Sequence, residues 1–171
     1  MKLNQKLVIF VFVFATIVSG MTSFALYVAA EKQVMSDIRQ RLRDIVSISA
    51  SQLNADAHLG LTSPSQEGGE EYLKFRSELQ RIKNSSSDIH FVYTMTSGPK
   101  GEILFVVDAE TNEEDVAHLG EVYDDPSDIL SRVFPHLDEP VVEAGFYTDE
   151  WGTWLSGYAP FYTAVGKKAG V

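Results

Sequence analysis

The sequence of 171 residues contains no cysteine. Disulfide bonds, thiolate metal sites and a cysteine nucleophile are therefore excluded. Phosphate-binding glycine loops, dinucleotide fingerprints and the Gly-x-Ser-x-Gly elbow of hydrolases are also missing. Four histidines are scattered along the chain, and no pair has the His-x-x-x-His spacing of helical metal ligands. The sequence predicts no catalytic residue, no metal site and no cofactor, so the chain as given is not expected to be an enzyme.

Charge is absent from 24 consecutive residues, Leu7 to Ala30. As a helix this run spans about 36 Å, enough to cross a hydrocarbon core of about 30 Å. Two lysines precede the run and the first acid is Glu31, so the positive-inside bias predicts a cytoplasmic N-terminus over residues 1–6. We therefore predict a transmembrane helix over 7–30 in the cell (inner) membrane. Residues 31–171 would form a domain on the periplasmic or extracellular side.

A cleaved secretory signal is the alternative reading of the same segment. The small residues of Val28-Ala29-Ala30 would suit a signal peptidase. The apolar region of a signal is about 7–15 residues long, and this run is longer, which favours an uncleaved anchor. Cleavage would instead release a secreted binding protein.

Basic residues are scarce between Asp108 and Glu150, where 14 acids accompany only Arg132. The formal net charge is −10, and the part from Glu31 onward carries −12 because two lysines lie before it. Such a surface repels phosphate backbones, so a nucleic-acid partner is not expected. The acidic segment is interpreted as a solvated surface. A divalent-cation sensor that uses the acidic 108–150 surface is an alternative.

Proline and glycine are absent from the stretch between Glu31 and Leu59. Its apolar residues recur every three to five positions, at Val34, Ile38, Leu42, Ile45, Ile48 and Leu53. The spacing predicts one long helix that leaves the membrane and continues to Leu59. Its apolar side would pack either on the domain's own sheet or on a second copy of the chain.

The rest of the chain predicts an α+β domain with helices on one face of a mostly antiparallel sheet. The expected elements are a helix over 70–83, strands over 89–96 and 102–108 joined by a hairpin, an acidic crossover over 109–125, a short helix from 126 to 134 capped by Ser127 or Asp128, two strands within 145–162, and the start of a strand at Ala169.

Gly68-Gly69-Glu70-Glu71-Tyr72 is similar to the signature of diguanylate cyclases, but a helical pattern follows it. We interpret this motif as a helix start.

Aromatic residues are concentrated in the second half of the chain and indicate a pocket for a small molecule. Strand alternation predicts that Trp154, Ser156 and Tyr158 share one face. Asp108, which follows an apolar run, is the best candidate for a fixed charge near that pocket.

Several segments resemble the Cache sensor domain, also called the PDC or extracytoplasmic PAS-like domain. They are Phe91-Val92-Tyr93-Thr94-Met95, Ile103 to Asp108, Gly120 to Asp124, and Trp151 to Pro160. The resemblance implies a five-stranded antiparallel sheet, with its last strand truncated here, backed by the long helix. By position, it implies that the ligand is held by Tyr93, Asp108, Tyr123, Trp154, Ser156 and Tyr158.

The same resemblance implies a function in transmembrane signal transduction. Members of the family bind small molecules such as organic acids, amino acids or amines. They act as homodimers and drive histidine kinases, diguanylate cyclases or chemoreceptors. The family's second membrane helix and output module do not occur in this sequence, so we expect a C-terminally incomplete domain from a larger receptor, most simply a histidine kinase or a diguanylate cyclase.

Overall fold

The computed structural model describes residues 3–149 and 152–171 and has an α+β fold, as predicted. The chain divides into two units, Met1–Arg41 and Leu42–Val171. The elements are α1 (Leu3–Gln52), α2 (Ala55–Gly60), α3 (Glu70–Lys83), β1 (Tyr93–Ser97), β2 (Ile103–Asp108), α4 (Asp128–Val133), β3 (Val141–Val142), β4 (Tyr147–Asp149), β5 (Gly152–Trp154), β6 (Gly157–Tyr158), β7 (Phe161–Tyr162) and β8 (Lys168–Gly170), with 3₁₀ turns at Pro64–Gln66 and Phe134–His136.

The first unit consists of helix α1 up to Arg41, and its apolar side chains are exposed. By length and composition, α1 is the one helix among the described residues that could span a membrane. Its threonines are compatible with an apolar surrounding, because the hydroxyls of Thr16 and Thr22 donate to the carbonyls of Phe12 and Val18 at 2.9 Å.

The predicted long helix ends earlier than Leu59. Helix α1 stops at Gln52, and Leu53 and Asn54 separate it from α2. The Asn54 side-chain oxygen accepts a hydrogen bond from the Ala57 backbone N–H at 3.0 Å, which starts a new helix. The prediction of one unbroken helix was therefore wrong at this point, because an N-cap residue redirects the chain.

Helix α3 occupies the predicted range and confirms that the Gly-Gly-Glu-Glu-Tyr motif begins a helix. Gly69 is its N-cap, and Glu70 and Glu71 lie in its first turn. There they interact favourably with the helix dipole. The short predicted helix is confirmed as α4, and Ser127 is its cap: the Ser127 Oγ accepts from the Leu130 N–H at 3.1 Å.

The strands form four two-stranded antiparallel ladders, β1–β2, β3–β6, β4–β5 and β7–β8. The segment over 145–162 holds four short strands rather than the two that were predicted. Pro160, which has no N–H to donate, lies at the break between β6 and β7.

Backbone hydrogen bonds extend the β1–β2 hairpin on both sides. Met95 and Val171 exchange N–H···O bonds of 2.8 and 3.0 Å. On the other side, the Phe105 N–H donates to the Glu121 carbonyl and the Tyr123 N–H donates to the Ile103 carbonyl, both at 2.9 Å. The crossover segment therefore runs beside β2 and places Tyr123 next to the hairpin.

Buried residues of the second unit form two apolar clusters, and the hairpin contributes to both. The first contains Val106 and Val107 together with residues of α2, α3 and β7. The second contains Met95 and Ile103 together with residues of α4 and β6. This division matters because the second cluster contains Tyr158 of β6 and has Tyr93 of the hairpin packed against it, and both are predicted binding residues.

Candidate functional site

Tyr93, Phe105 and Tyr123 form a group of three mutually contacting rings, with the centroids of Tyr93 and Tyr123 6.3 Å apart. The ring centroids of Tyr93 and Phe105 are 5.2 Å apart, and those of Phe105 and Tyr123 are 4.9 Å apart. Tyr93 opens β1, Phe105 lies in β2, and Tyr123 follows the crossover. The register Met95↔Phe105 and the bond from Tyr123 to Ile103 hold the three rings together. Two residues predicted for the site are therefore neighbours.

Ser156 and Tyr158 approach the same region from the C-terminal part. The Tyr147 hydroxyl lies 2.9 Å from the Ser156 Oγ. Tyr158 pairs with Val141 in the β3–β6 ladder, and the Glu143 N–H donates to the Ser156 carbonyl at 2.9 Å. These contacts bring Tyr147, Ser156 and Tyr158 together, although Tyr147 lies in β4, Tyr158 lies in β6 and Ser156 lies between β5 and β6.

We call Tyr93, Phe105, Tyr123, Tyr147 and Tyr158 the tyrosine cluster. Burial raises the pKa of Tyr93, and the hydroxyls of Tyr123, Tyr158 and Tyr147 raise it further. Burial also raises the pKa of Tyr158. The phenols of Tyr93 and Tyr158 are therefore protonated at neutral pH and can donate hydrogen bonds. A group of convergent hydroxyls set among apolar rings is suited to hold a small polar molecule.

Glu143 is a buried acid beside this cluster, with only 6 % of its surface exposed. Its Oε1 accepts hydrogen bonds from the Ser127 hydroxyl and, at 3.3 Å, from the Tyr158 hydroxyl. The sequence analysis did not single out Glu143, because it is one of many acids in its segment. Its one distinguishing signal is its position directly after the apolar pair Val141-Val142.

The cluster is accessible on one side. Tyr93, Tyr123, Tyr147 and Ser156 are half-buried, whereas Tyr158 is buried. Two open grooves of about 400 Å³ lie elsewhere, on α1 between Asn4 and Ala15. They are gaps between exposed apolar side chains of a single helix and offer few polar groups, so they do not compete with the cluster as a ligand site.

Asp108 has a different environment from the other predicted site residues. Its Oδ1 accepts from the Glu110 N–H at 2.9 Å and its Oδ2 accepts from the Ala117 N–H at 3.0 Å. Burial raises its pKa, and these two amide bonds oppose that rise. The carboxylate therefore closes the loop that follows β2. An ion pair between Lys83, the last residue of α3, and Glu110 connects the same loop to α3.

Trp154 contacts two aromatic side chains that were not predicted for the site. Its ring lies 5.3 Å from that of His90 and 5.0 Å from that of Phe91. The expectation that Trp154, Ser156 and Tyr158 share one strand was wrong, because β5 ends at Trp154 and β6 begins at Gly157. Trp151, part of the motif that carried the resemblance, lies outside the described residues.

No group of three or more His, Asp or Glu side chains within the described ranges is arranged to hold a metal ion. In comparisons with protein-family models, curated proteins and solved structures, nothing matched this chain. The geometry of the site and the patterns in the sequence therefore carry the functional argument.

Proposed function

We propose that this chain is the extracytoplasmic sensor domain of a transmembrane receptor and that it binds a small molecule at the tyrosine cluster. The observation that carries the proposal is the convergence of four tyrosine hydroxyls and Ser156 from elements far apart in sequence. A core built only for stability has no need of so many hydroxyls, because buried polar groups cost free energy unless they are paired.

Two further features support a domain of the Cache type. The backbone bonds that join Glu121–Tyr123, β2, β1 and Val171 fit part of one larger antiparallel sheet, and β7–β8 continues beyond it. The apolar helix α1 fits an anchor with the domain on the outer side. In a receptor, ligand binding would shift an equilibrium between two arrangements and so regulate a kinase or cyclase module.

The ligand proposal is tested by thermal unfolding of the full chain in detergent micelles. A panel of organic acids, amino acids and amines is added, and at least one class is expected to raise the Tm, because a ligand that binds only the folded state stabilises it. Tyr147→Phe should reduce that shift. Tyr162→Phe, which changes an exposed tyrosine outside the cluster, should not. A Tm that no class raises would contradict the proposal.

The topology proposal has a direct test because the chain has no cysteine of its own. Asn4→Cys and Lys100→Cys each introduce one exposed thiol. A membrane-impermeant maleimide should label Lys100→Cys in intact cells and label Asn4→Cys only after lysis. N-terminal sequencing of the same product distinguishes an anchor from a cleaved signal, since cleavage would give a start near Glu31.

We also propose that the long helix forms a homodimer. Val34 and Ile38 are exposed in the first unit, and Ile45 and Ile48 are exposed in the second. Their spacing suits pairing of two helices. Oxidative cross-linking of Ile38→Cys should give a disulfide-linked dimer, whereas Gln40→Cys, at a polar position of the same helix, should give much less. Equal cross-linking of the two variants would argue against a specific interface.

A further inference from the structure

Glu143 is a buried acid, and no basic side chain among the described residues forms an ion pair with it. The ion pairs Lys83–Glu110 and His118–Glu67 do not involve it. Both of its side-chain hydrogen bonds come from neutral hydroxyls, and both go to Oε1. Neither of these bonds uses its second oxygen, Oε2. A buried carboxylate in this state lacks a cationic partner, and supplying one would be strongly favourable.

We propose that Glu143 and the tyrosine cluster bind an organic ammonium ion, with Glu143 Oε2 as the acceptor for its N–H groups and the tyrosine rings around its apolar part. This inference deepens the function proposed above and rests on it. Ammonium groups interact favourably with aromatic ring faces, and this attraction is larger where water is excluded. Tyr158 connects the two parts of the site, because its hydroxyl donates to Glu143 while its ring belongs to the cluster.

The composition of the site favours an organic cation over a metal ion. Calcium takes six to eight oxygen ligands, and magnesium also requires several. Glu143 belongs to no metal-holding group of acids and histidines in the described ranges. The groups that donate to its carboxylate are a serine hydroxyl and a phenol. One carboxylate among aromatic rings matches a single positive charge on an apolar body.

The charge of the domain argues against an anionic ligand at the same place. The part of the chain from Glu31 onward carries a formal charge of −12, which lowers the local concentration of anions and raises that of cations. A carboxylate ligand would also lie against the Glu143 carboxylate and repel it.

Ser127 connects Glu143 to the N-terminus of helix α4. Its Oγ caps helix α4 by accepting from the Leu130 N–H, and its hydroxyl proton is donated to Glu143. A cation that draws the carboxylate toward itself would therefore act on the N-terminus of α4. Ser127 is in this sense a positioning residue, and it does not itself need to contact the ligand.

The test uses the full chain in detergent micelles and three probes of the same size: butylammonium, butyrate and butanol. Calorimetric titration should show that butylammonium binds and that butyrate does not, with butanol much weaker. Glu143→Gln keeps an acceptor for Ser127 and Tyr158 but removes the charge, and it should weaken butylammonium binding at least about tenfold. Glu139→Gln removes one charge from an exposed position and should leave binding unchanged.

Three results would overturn the inference: butyrate or butanol binding as well as butylammonium, Glu143→Gln binding butylammonium as tightly as the original chain, or Glu139→Gln weakening it equally. Butyrate or butanol binding that Tyr147→Phe weakens would overturn the ammonium inference alone and leave a small-molecule site at the cluster in place. Thermal unfolding of Glu143→Gln without probe verifies that the variant is folded, and Ser127→Ala provides a second variant that retains the charge.

Discussion

The first apolar cluster and the tyrosine cluster each lie against a buried histidine or acid, His58 and Glu143 respectively, but surround it differently. In the first, which we call the His58 core (His58, Tyr72, Phe75, Leu79 and Phe161), the His58 ring packs on Phe75 and Phe161 with centroid distances of 5.4 and 4.8 Å. Burial lowers the pKa of His58 to about 4. In the tyrosine cluster, Glu143 is surrounded by hydroxyls, and several rings remain half-buried.

We infer from this difference that the His58 core stabilises the fold and that the tyrosine cluster binds the ligand. Burial holds His58 neutral, although the bond from its Nδ1 to the Ala169 carbonyl at 3.0 Å opposes this effect. Its Nε2 is buried without a hydrogen-bond partner in the described structure. Such a group contributes to packing but has no access to a ligand. Glu143 has its hydroxyl contacts on one oxygen only. We therefore expect changes in the His58 core to alter folding and changes in the tyrosine cluster to alter binding.

The largest effect is expected for Gly170→Ala, beside the His58 core. A Cβ at this position would lie 2.6 Å from His58 Cε1 and 2.8 Å from the Met95 carbonyl oxygen. The backbone oxygen cannot move without breaking the pairing of β1, so we expect a loss of about 3 kcal/mol in the free energy of unfolding. Urea denaturation of the full chain in micelles measures it. Gly60→Ala, which meets nothing within 4 Å, is the control. Equal stability of the two variants would show that this contact is not tight.

A somewhat smaller effect is expected from pH. Because the pKa of His58 is lower in the folded state, about 4, than the usual 6.5, protonation favours the unfolded chain. Stability is therefore complete above pH 6.5 and falls as the pH drops toward 4, by about 2 kcal/mol between neutral pH and about pH 5. His58→Asn retains a donor for the Ala169 carbonyl and should remove this dependence. Denaturation midpoints at several pH values provide the measurement.

The opposite pH trend is expected at the surface. Glu67 raises the pKa of His118 by accepting a hydrogen bond from it. The stability that this His118–Glu67 contact adds is present at low pH and is lost as the pH rises through the His118 pKa. The variant His118→Asn should therefore still lose stability on acidification. If His118→Asn removed that loss and His58→Asn did not, the assignment to His58 would be wrong.

Asp108→Asn tests whether the residue closes a loop or contacts ligand. Asparagine offers one acceptor oxygen for two backbone amides, so one of the Glu110 and Ala117 N–H groups loses its partner. We expect a loss of about 1.5 kcal/mol in stability. Ligand affinity per folded molecule should stay unchanged. A large loss of affinity at full stability would instead place Asp108 in the binding site, as its position in the sequence predicts.

The smallest effect on folding is expected for Tyr147→Phe. The hydroxyl bonds Ser156 at 2.9 Å, but both residues are half-buried and water can replace the bond. The stability loss should be at most about 1 kcal/mol. If Tyr147→Phe destabilised the chain as much as Gly170→Ala, the tyrosine cluster would be as structural as the His58 core, and the comparison would fail.

The sequence predicted the elements that depend on local patterns. Helix α3 follows from its apolar period and acidic first turn, the β1–β2 hairpin from its turn residues, and the start of α4 from its two candidate caps, Ser127 and Asp128. The structure brings Tyr93, Tyr123, Ser156 and Tyr158 close together, and their role in binding a ligand stays a prediction. The break at Asn54 was missed, because an N-cap residue inside a helical pattern is a weak local signal.

What the sequence could not predict depends on distant contacts. Glu143 becomes distinctive only when β3 pairs with β6 and brings Tyr158 over it. His58 is one of four similar histidines until β8 places the Ala169 carbonyl against it. The chain between Tyr147 and Tyr162 is interrupted between β5 and β6 and again at Pro160, and strand alternation fails at such interruptions.

The central claim is that the tyrosine cluster binds and the His58 core does not, and fluorine NMR tests it most directly. Fluorotyrosine incorporated into the full chain reports on all seven tyrosines, assigned by single Tyr→Phe variants. On titration with butylammonium, the signals of Tyr93, Tyr123, Tyr147 and Tyr158 should shift together while that of Tyr72, buried in the His58 core, stays in place. A shift of Tyr72 without those four, or seven unchanged signals, would contradict the account.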